Sequence, residues 1–292
     1  TINKVCGSGM KAFMNACDSL SLGHTDISIA GGMESMTNAP YLMTQGRGGY
    51  RFGDATIYDH MTIDGLEDAY TKGAMGMFAE ETCTKYNFSR EDQDAFAITS
   101  LQRAQDAIAS GKFDAEITPF TVKTRRGEVL CDKDEQPGKG NKEKIPQLRP
   151  AFKKDGSVTA ANSSSISDGA AALVLTRLSV AKELGLKPIA RVAKYTSNSQ
   201  EPEWFTTAPV GAIRKLLKNL NWSKDDVDLY EINEAFAAVT MAVMKEIDLP
   251  HEKVNIHGGA CALGHPIGAS GARIIVTLLS AMQAYDKQKG VA

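Results

Sequence analysis

The sequence has little excess charge of either sign. Lys and Arg number 33 against 35 Asp and Glu, a net charge of −2. That near balance argues against a dedicated nucleic-acid binder, which carries a large basic excess. Cysteines are few: Cys6, Cys17, Cys83, Cys131 and Cys261 lie far apart, with no Cys-x-x-Cys pair. They exclude a disulfide framework and a cysteine metal cage, and they favour a reducing compartment. No uninterrupted apolar run approaches the ~18 residues a membrane helix needs. The chain opens Thr1-Ile2-Asn3-Lys4-Val5-Cys6, without Met or a targeting segment, and stops at Gly290-Val291-Ala292. Residues missing at both ends are therefore expected. What is present, 292 residues at 42% apolar, suffices for a core and exceeds one ordinary domain.

Periodicity and breakers predict a series of elements. Ser8–Leu22 reads as a helix apolar on most faces, and therefore buried. Asp26–Ala30 reads as a strand closed by Gly31-Gly32. Ser89-Arg90-Glu91-Asp92 resembles a capping box, opening an amphipathic helix that stops at Gly111. Ala170–Thr176 is a continuous apolar run, as in a strand covered on both faces. A short helix over Ser179–Leu184 and a strand over Ile189–Tyr195 follow. Val210–Leu220 is amphipathic, Asp228–Ile232 is a strand, and a helix should run from Asn233 to Ile247. A strand at Val254–Ile256, a glycine-rich turn and a helix over Ser270–Tyr285 end the series. Strand–helix alternation at both ends predicts α/β layers with a largely parallel sheet. The middle is rich in loops, and Thr121–Lys154 carries ten Lys/Arg against five Asp/Glu. That excess reads either as a solvated surface or as an anion site. A faint repeat also shows: Ser8-Gly9-Met10-Lys11 and Ser270-Gly271-Ala272-Arg273 each open a helix. The first helix leads to Gly31-Gly32, so a strand is expected just past residue 292.

Three residues could carry chemistry. Cys6 lies in Val5-Cys6-Gly7-Ser8-Gly9-Met10 at the mouth of a helix, where the positive end favours thiolate over thiol. It is an activated nucleophile or an ordinary buried cysteine. His265 stands in a stretch with five glycines in fourteen residues, 258 to 271. A histidine on so shaped a backbone could be the general base for a thiol; the glycine spacing does not fit a dinucleotide loop. Asn233, in Asn233-Glu234-Ala235-Phe236, is a helix N-cap or an amide that orients a water or an oxyanion. His257 should line the same site, whereas His24, His60 and His251 should be surface or turn residues. Cys17, Cys83 and Cys131 read as structural.

Val5-Cys6-Gly7-Ser8-Gly9-Met10-Lys11-Ala12, Asn233-Glu234-Ala235-Phe236 and Gly264-His265-Pro266 together resemble the thiolases. Ala30-Gly31-Gly32-Met33-Glu34-Ser35-Met36, Ser167-Asp168-Gly169-Ala170-Ala171-Ala172 and Gly268-Ala269-Ser270-Gly271-Ala272-Arg273 agree, in order and spacing, over essentially the whole chain. The resemblance implies a layered α-β-α-β-α fold of two related halves with an inserted loop domain. Residues 1–36 and 166–187 would form an incomplete N-terminal half, 37–165 the loop domain, and 188–292 the C-terminal half without its last strands. The implied activity is acetyl-CoA C-acetyltransferase: ping-pong condensation of two acetyl-CoA to acetoacetyl-CoA, and the reverse thiolysis. Cys6 would be acylated, His265 would take its proton, and Asn233 would hold a water against the oxyanion. The family's second cysteine, in a Cys-x-Gly motif, would fall shortly after Ala292, and Cys261 does not replace it. Coenzyme A and acetyl-CoA would be substrates, with no permanently bound cofactor and no metal. Their contacts would be Ser164, Met75, Ala160, Phe205, Ala235 and Phe236, with the basic loop drawing the phosphates. Three positions depart from common family patterns: Ala74 in place of His, Phe205 in place of Met, and His257 in place of Asn. The first two bear on chain length.

The implied partners are acyl-CoA substrates and further copies in a homotetramer, with no nucleic acid and no membrane. The implied location is cytoplasmic, or alternatively a mitochondrial or peroxisomal matrix. The rival enzyme reading is a 3-ketoacyl-CoA thiolase of β-oxidation. A condensing enzyme using an acyl carrier protein fits the inserted loop less well. The reading from a different class is a non-catalytic, thiolase-like acyl-CoA-binding subunit.

Overall fold

A computed structural model describes residues 1–292. Cys6 lies in a short 3-10 turn, Val5–Gly7, that feeds helix α1, Ser8–Ser21. Strand β1 is Ile27–Ser35, and the small pair β2, Tyr41–Leu42, and β3, Tyr58–Asp59, follows. Helices α2, Met75–Tyr86, and α3, Arg90–Ala109, come next. The capping box forms as expected: Ser89 Oγ accepts from Asp92 N–H while the Asp92 carboxylate accepts from Ser89 N–H. A hairpin of β4, Phe120–Thr124, and β5, Gly127–Cys131, precedes the short α4, Gln136–Lys139. Strand β6, Asp168–Thr176, leads to α5, Leu178–Glu183. The remaining elements are α6, Ala208–Leu220; β7, Leu229–Tyr230; α7, Ala237–Ile247; α8, Ala260–Leu263; α9, Ile267–Ala284; and β8, Gly290–Val291.

The sheet differs from the largely parallel one expected. β1 pairs with β6 in antiparallel register, from Ile27 opposite Thr176 to Ser35 opposite Asp168. β2–β3 and β4–β5 are also antiparallel; the parallel pairing is β7–β8, with a bridge from Tyr230 to Val254. The β1–β6 pairing joins segments 133 to 149 residues apart in sequence. Burial along β6 alternates, with Leu175 its buried residue, so this apolar run is not covered on both faces. Ile189–Tyr195 forms no strand. Its apolar alternation finds no ladder to join, and Ile189 and Val192 are exposed. Gly31-Gly32 does not end β1. The strand runs through both glycines because a Cβ at Gly32 would strike the Gly268 carbonyl at the start of α9, and one at Gly31 the Ala171 carbonyl of β6.

α9 is the centre of the molecule, packed against α1, β1 and β6. It has 18 residues and is long and apolar enough, by length and composition, to cross a membrane, although Ser270, Arg273, Thr277, Ser280 and Gln283 interrupt its apolar run. Its apolarity is accounted for by burial of Ile267, Ala269, Ala272, Ile274, Leu278 and Ala281 within the protein. α1 and α9 touch at the two repeated Ser-Gly steps. A Cβ at Gly9 would lie 2.7 Å from Ala272 N, and one at Gly271 would lie 2.5 Å from Met10 N. Each glycine thus admits the other helix's backbone. α1 itself is not the buried helix expected: Gly9, Met14 and Leu20 are buried, while much of the rest is half-buried or exposed.

The core is uneven. Around α6, β7 and α7, ten residues including Val227, Tyr230, Val243 and Val291 form one buried cluster. Around α1, β1 and β6 the cluster is Leu20, Ala30 and Leu175. β8 starts at Gly290, so the strand looked for beyond the repeat's second helix begins inside residue 292.

Candidate active site

Three chain segments converge where α1 and α9 meet. Cys6 comes from the turn before α1, His265 from the link between α8 and α9, and Asn233 from the link between β7 and α7. His265 Nε2 lies 3.1 Å from Cys6 Sγ and 3.4 Å from Asn233 Nδ2. All three residues named from the sequence therefore share one nitrogen. Asn233 is not a helix cap: α7 starts at Ala237, with Phe236 as its N-cap. Its Oδ1 is buried and accepts from no protein group, so it is free to take a donor such as water.

The backbone at these positions is held in place. Val5, beside Cys6, adopts φ +47°, a left-handed conformation costly for a β-branched residue. Such strain persists where the surrounding structure over-determines it. Gly264, at φ +89°, meets Ser167 where a Cβ would be, so no other residue fits just before His265. His265 N–H donates to the Ser165 carbonyl at 3.2 Å. Its ring Nδ1 faces Ser270 Oγ at 2.5 Å, and Ser270 Oγ donates to the Pro266 carbonyl at 3.0 Å. The Glu34 carboxylate from β1 accepts from Gly268 N–H at 3.0 Å, capping the positive end of α9.

Beside Asn233, the buried Glu234 fastens two loops together. Its carboxylate accepts from Asn255 Nδ2 at 2.8 Å, Ser100 Oγ at 2.7 Å and Cys261 N–H at 3.0 Å. Burial raises its pKa, and those hydrogen bonds pull in the other direction. Asn255 also bonds both the N–H and the carbonyl of Ile232 at 2.8 Å. Asn233 is thus braced by its neighbours on either side.

The protonation states correct one expectation. A helix mouth alone would favour the thiolate, yet loss of hydration around Sγ dominates and pushes the Cys6 pKa up to about 11, with Glu34 adding to the rise. The residue as a whole is nonetheless exposed. Burial, with the Arg273 charge adding to it, lowers His265 to about 4. At neutral pH the pair therefore rests as thiol and neutral imidazole. Cys261 is pushed well above the usual thiol range by burial, and its Sγ points to the Glu234 carbonyl at 3.8 Å.

Five of the six acyl-CoA candidates gather in one place. Met75, Phe205 and Ala235 pack against the cluster that contains Phe236, Val158 and Ala79. Ser164 N–H and Oγ both bond the Ala235 carbonyl at 3.0 Å. Ala160 is exposed on the turn held by Thr159 and Asn162, outside this cluster. His257 does not line the site as expected. It is buried between the rings of Phe113 and Tyr285, at the far end of α9 from His265, and burial lowers it to about 4. His251 is half-buried and stacked on Phe96, while His24 is exposed and His60 pairs with Asp64. Ser270, Glu34 and Glu234 stand in the recognised motifs, yet sequence reading gave them no role. Their signal is tertiary: each bonds a segment far from it or folded back onto it.

The family models for the thiolase N-terminal and C-terminal domains match residues 1–179 and 186–292. An acetyl-CoA acetyltransferase of Pseudomonas aeruginosa is 49% identical over 294 aligned positions, covering 100% of this chain and 75% of the relative. A probable acetyl-CoA acyltransferase of Staphylococcus aureus is 48% identical, covering 96% and 72%. The crystal structure of the Bacillus anthracis acetyl-CoA acetyltransferase superposes with a TM-score of 0.96 at 45% identity, covering 99% of this chain and 74% of that one. An Ascaris suum thiolase in complex with coenzyme A gives 0.91 at 44% identity, covering 96% and 72%. With both domain models matched in order across nearly its whole length, the chain belongs to the thiolase family.

Proposed function

We propose that this thiolase is an acetyl-CoA C-acetyltransferase working through an acetyl thioester on Cys6. The observation that carries the proposal is the thiol–imidazole contact of 3.1 Å between Cys6 and His265. As Sγ attacks the thioester carbonyl carbon of acetyl-CoA, its proton passes to His265 Nε2 and the carbonyl electron pair moves to oxygen. Collapse breaks the carbon–sulfur bond to coenzyme A, and the departing sulfur takes the proton from Nε2. One thioester replaces another, so the intermediate is neither a trap nor a steep climb. The unpartnered Asn233 Oδ1 supports a water there, whose other proton would face the oxyanion. The α-carbon of a second acetyl-CoA then loses a proton and attacks the carbonyl carbon on Cys6; the carbon–sulfur bond to Cys6 breaks, Sγ ends with that proton, acetoacetyl-CoA leaves, and thiolysis is the reverse. Residues 1–292 account for the acyl-transfer half of that cycle.

Met75, Phe205, Ala235, Phe236 and Ser164 would receive the pantetheine and acyl ends. Phe205 stands edge-on to Phe78 at 6.1 Å. The exposed β4–β5 hairpin and its basic surroundings suit the phosphates of coenzyme A, a substrate that comes and goes. Phe120 and Leu130 of that hairpin are exposed apolar residues, which supports contact with further copies in a homotetramer.

Exchange of labelled coenzyme A into acetyl-CoA isolates the first half-reaction. Exchange together with an acetyl group mapped to Cys6 is the expected result. An acetyl group on another residue overturns the site. Binding without exchange makes the chain a non-catalytic acyl-CoA-binding subunit. Exchange that rises steeply with acyl length favours a 3-ketoacyl-CoA thiolase.

A further inference from the structure

We propose that Ser270 is a positioning residue that fixes His265 in its Nδ1–H tautomer, leaving Nε2 bare to take the Cys6 proton. The inference rests on the acyl-transfer reading of Cys6 and His265, and it concerns how that pair is set before substrate arrives. A neutral imidazole carries one proton, on either nitrogen, and its partners decide which. Ser270 Oγ has a single proton, which it donates to the Pro266 carbonyl at 3.0 Å. Toward His265 Nδ1, 2.5 Å away, the oxygen can then only accept, so Nδ1 carries the hydrogen. The other nitrogen gives the same answer independently. Both groups facing Nε2 are donors: the Cys6 thiol at 3.1 Å and the Asn233 amide nitrogen at 3.4 Å. An Nε2–H tautomer would set hydrogens against hydrogens there and would turn the Ser270 proton away from the Pro266 carbonyl toward Nδ1.

The position of α9 makes this possible. Pro266 caps the helix, so Ser270 lies in its first turn and its hydroxyl reaches back over the turn to the Pro266 carbonyl. Ser270 is 1% exposed, so no bulk water competes for either bond. Gly268 N–H, held by Glu34, fixes the same turn from outside. The arrangement is a nucleophile, a base and an orienting group, with a hydroxyl in the third place.

The test reads the tautomer in the resting protein. Nitrogen-15 NMR of histidine-labelled protein near pH 7, with the His265 signals identified by loss in His265→Gln, should show protonated Nδ1 and unprotonated Nε2. Ser270→Ala should move His265 toward the other tautomer. It should also slow coenzyme A exchange and iodoacetamide alkylation of Cys6 by about tenfold, the loss of one hydrogen bond's preference. The KM for acetyl-CoA should hold, and Ser270→Thr, which keeps the hydroxyl, should restore the tautomer and the rates. A wild-type Nε2–H signal overturns the proposal. So does a Ser270→Ala protein that keeps its Nδ1–H signal. Because the NMR needs no turnover, failure here is separable from failure to find acetyl on Cys6.

Discussion

At the start of α1, Ser8 Oγ donates to the Val5 carbonyl at 2.7 Å and accepts from Lys4 N–H at 2.8 Å. At the start of α9, Ser270 Oγ donates to the Pro266 carbonyl at 3.0 Å and meets His265 Nδ1 at 2.5 Å. Each serine is followed by a glycine that lets in the other helix. The two helix mouths share one construction, and they differ in what the serine oxygen faces. At α1 it faces the chain's own backbone and shapes the turn that bears Cys6. At α9 it faces the side chain that serves Cys6. A local capping device, met twice, thus becomes part of an active site in one copy by a change of partner alone.

Removing the reacting group from each mouth has the largest expected effect. Cys6→Ala should abolish coenzyme A exchange, since no bond can form. His265→Ala should lower it by ~10²–10⁴, the usual worth of a positioned base. A loss below tenfold would place the base elsewhere. With Cys6 near 11 and His265 near 4, alkylation of Cys6 at neutral pH should proceed by base-assisted attack of the thiol. The rate should be flat across the middle range. It should fall as His265 gains a proton on approach to pH 4, and climb toward pH 11 as thiolate forms. Ultraviolet difference spectra between wild type and Cys6→Ala at pH 7 should show no thiolate band; a band would mean a resting ion pair.

The glycine steps test whether the construction is shared. Gly9→Ala and Gly271→Ala each drive a methyl into the other helix's backbone, at 2.7 and 2.5 Å. Backbone cannot swing aside as a side chain can. Each should cost about 1–3 kcal/mol in urea denaturation, by overpacking, and the two costs should match. A large cost for one and a negligible cost for the other would show that the crossing is supported from one side.

Much of this site was legible in the sequence because its parts sit at turns. Cys6, Asn233 and His265 each stand where a helix is about to start, beside small residues that serve no core. Asn233 was ambiguous with a cap until α7 proved to begin four residues later, at Ala237. The misreadings have a common cause in partners remote in sequence. Gly31-Gly32 looked like a stop because nothing local marks the Gly268 carbonyl that needs the space. Ile189–Tyr195 has a strand's alternation, but no neighbouring strand supplies a ladder. β6 looked doubly covered by its composition, and its antiparallel pairing with β1 depended on a segment over a hundred residues away. The Cys6 pKa was misjudged because a helix end is visible in a sequence and desolvation by packed neighbours is not.

The serines divide the comparison more finely. Ser8→Ala removes two exposed backbone pairings, with Lys4 N–H and with the Val5 carbonyl, where water can substitute. It should cost about 1 kcal/mol of stability and leave the His265 tautomer as it is. The NMR measurement that moves with Ser270→Ala should therefore not move here. A tautomer shift in Ser8→Ala would mean that the α1 turn, and not α9, sets the imidazole.

The smallest expected difference comes from Glu34. α9 has this carboxylate on Gly268 N–H, whereas α1 has no acidic residue in its first turn. Glu34→Gln keeps an oxygen to accept from Gly268 N–H, so it removes charge with little loss of geometry. Two consequences follow, of opposite benefit. α9 loses the interaction between an anion and its positive end, about 0.3–1 kcal/mol at low ionic strength. Cys6 loses a nearby negative charge that raises its pKa, so its alkylation limb should move to lower pH. Urea midpoints and alkylation profiles in low and high salt measure both. Each effect should shrink with salt, since a Debye length near 10 Å at 0.1 M screens exposed charges. A stability loss that persists in high salt would show that Glu34 acts by shape. The α9 mouth would then differ from the α1 mouth in its hydrogen bonds alone.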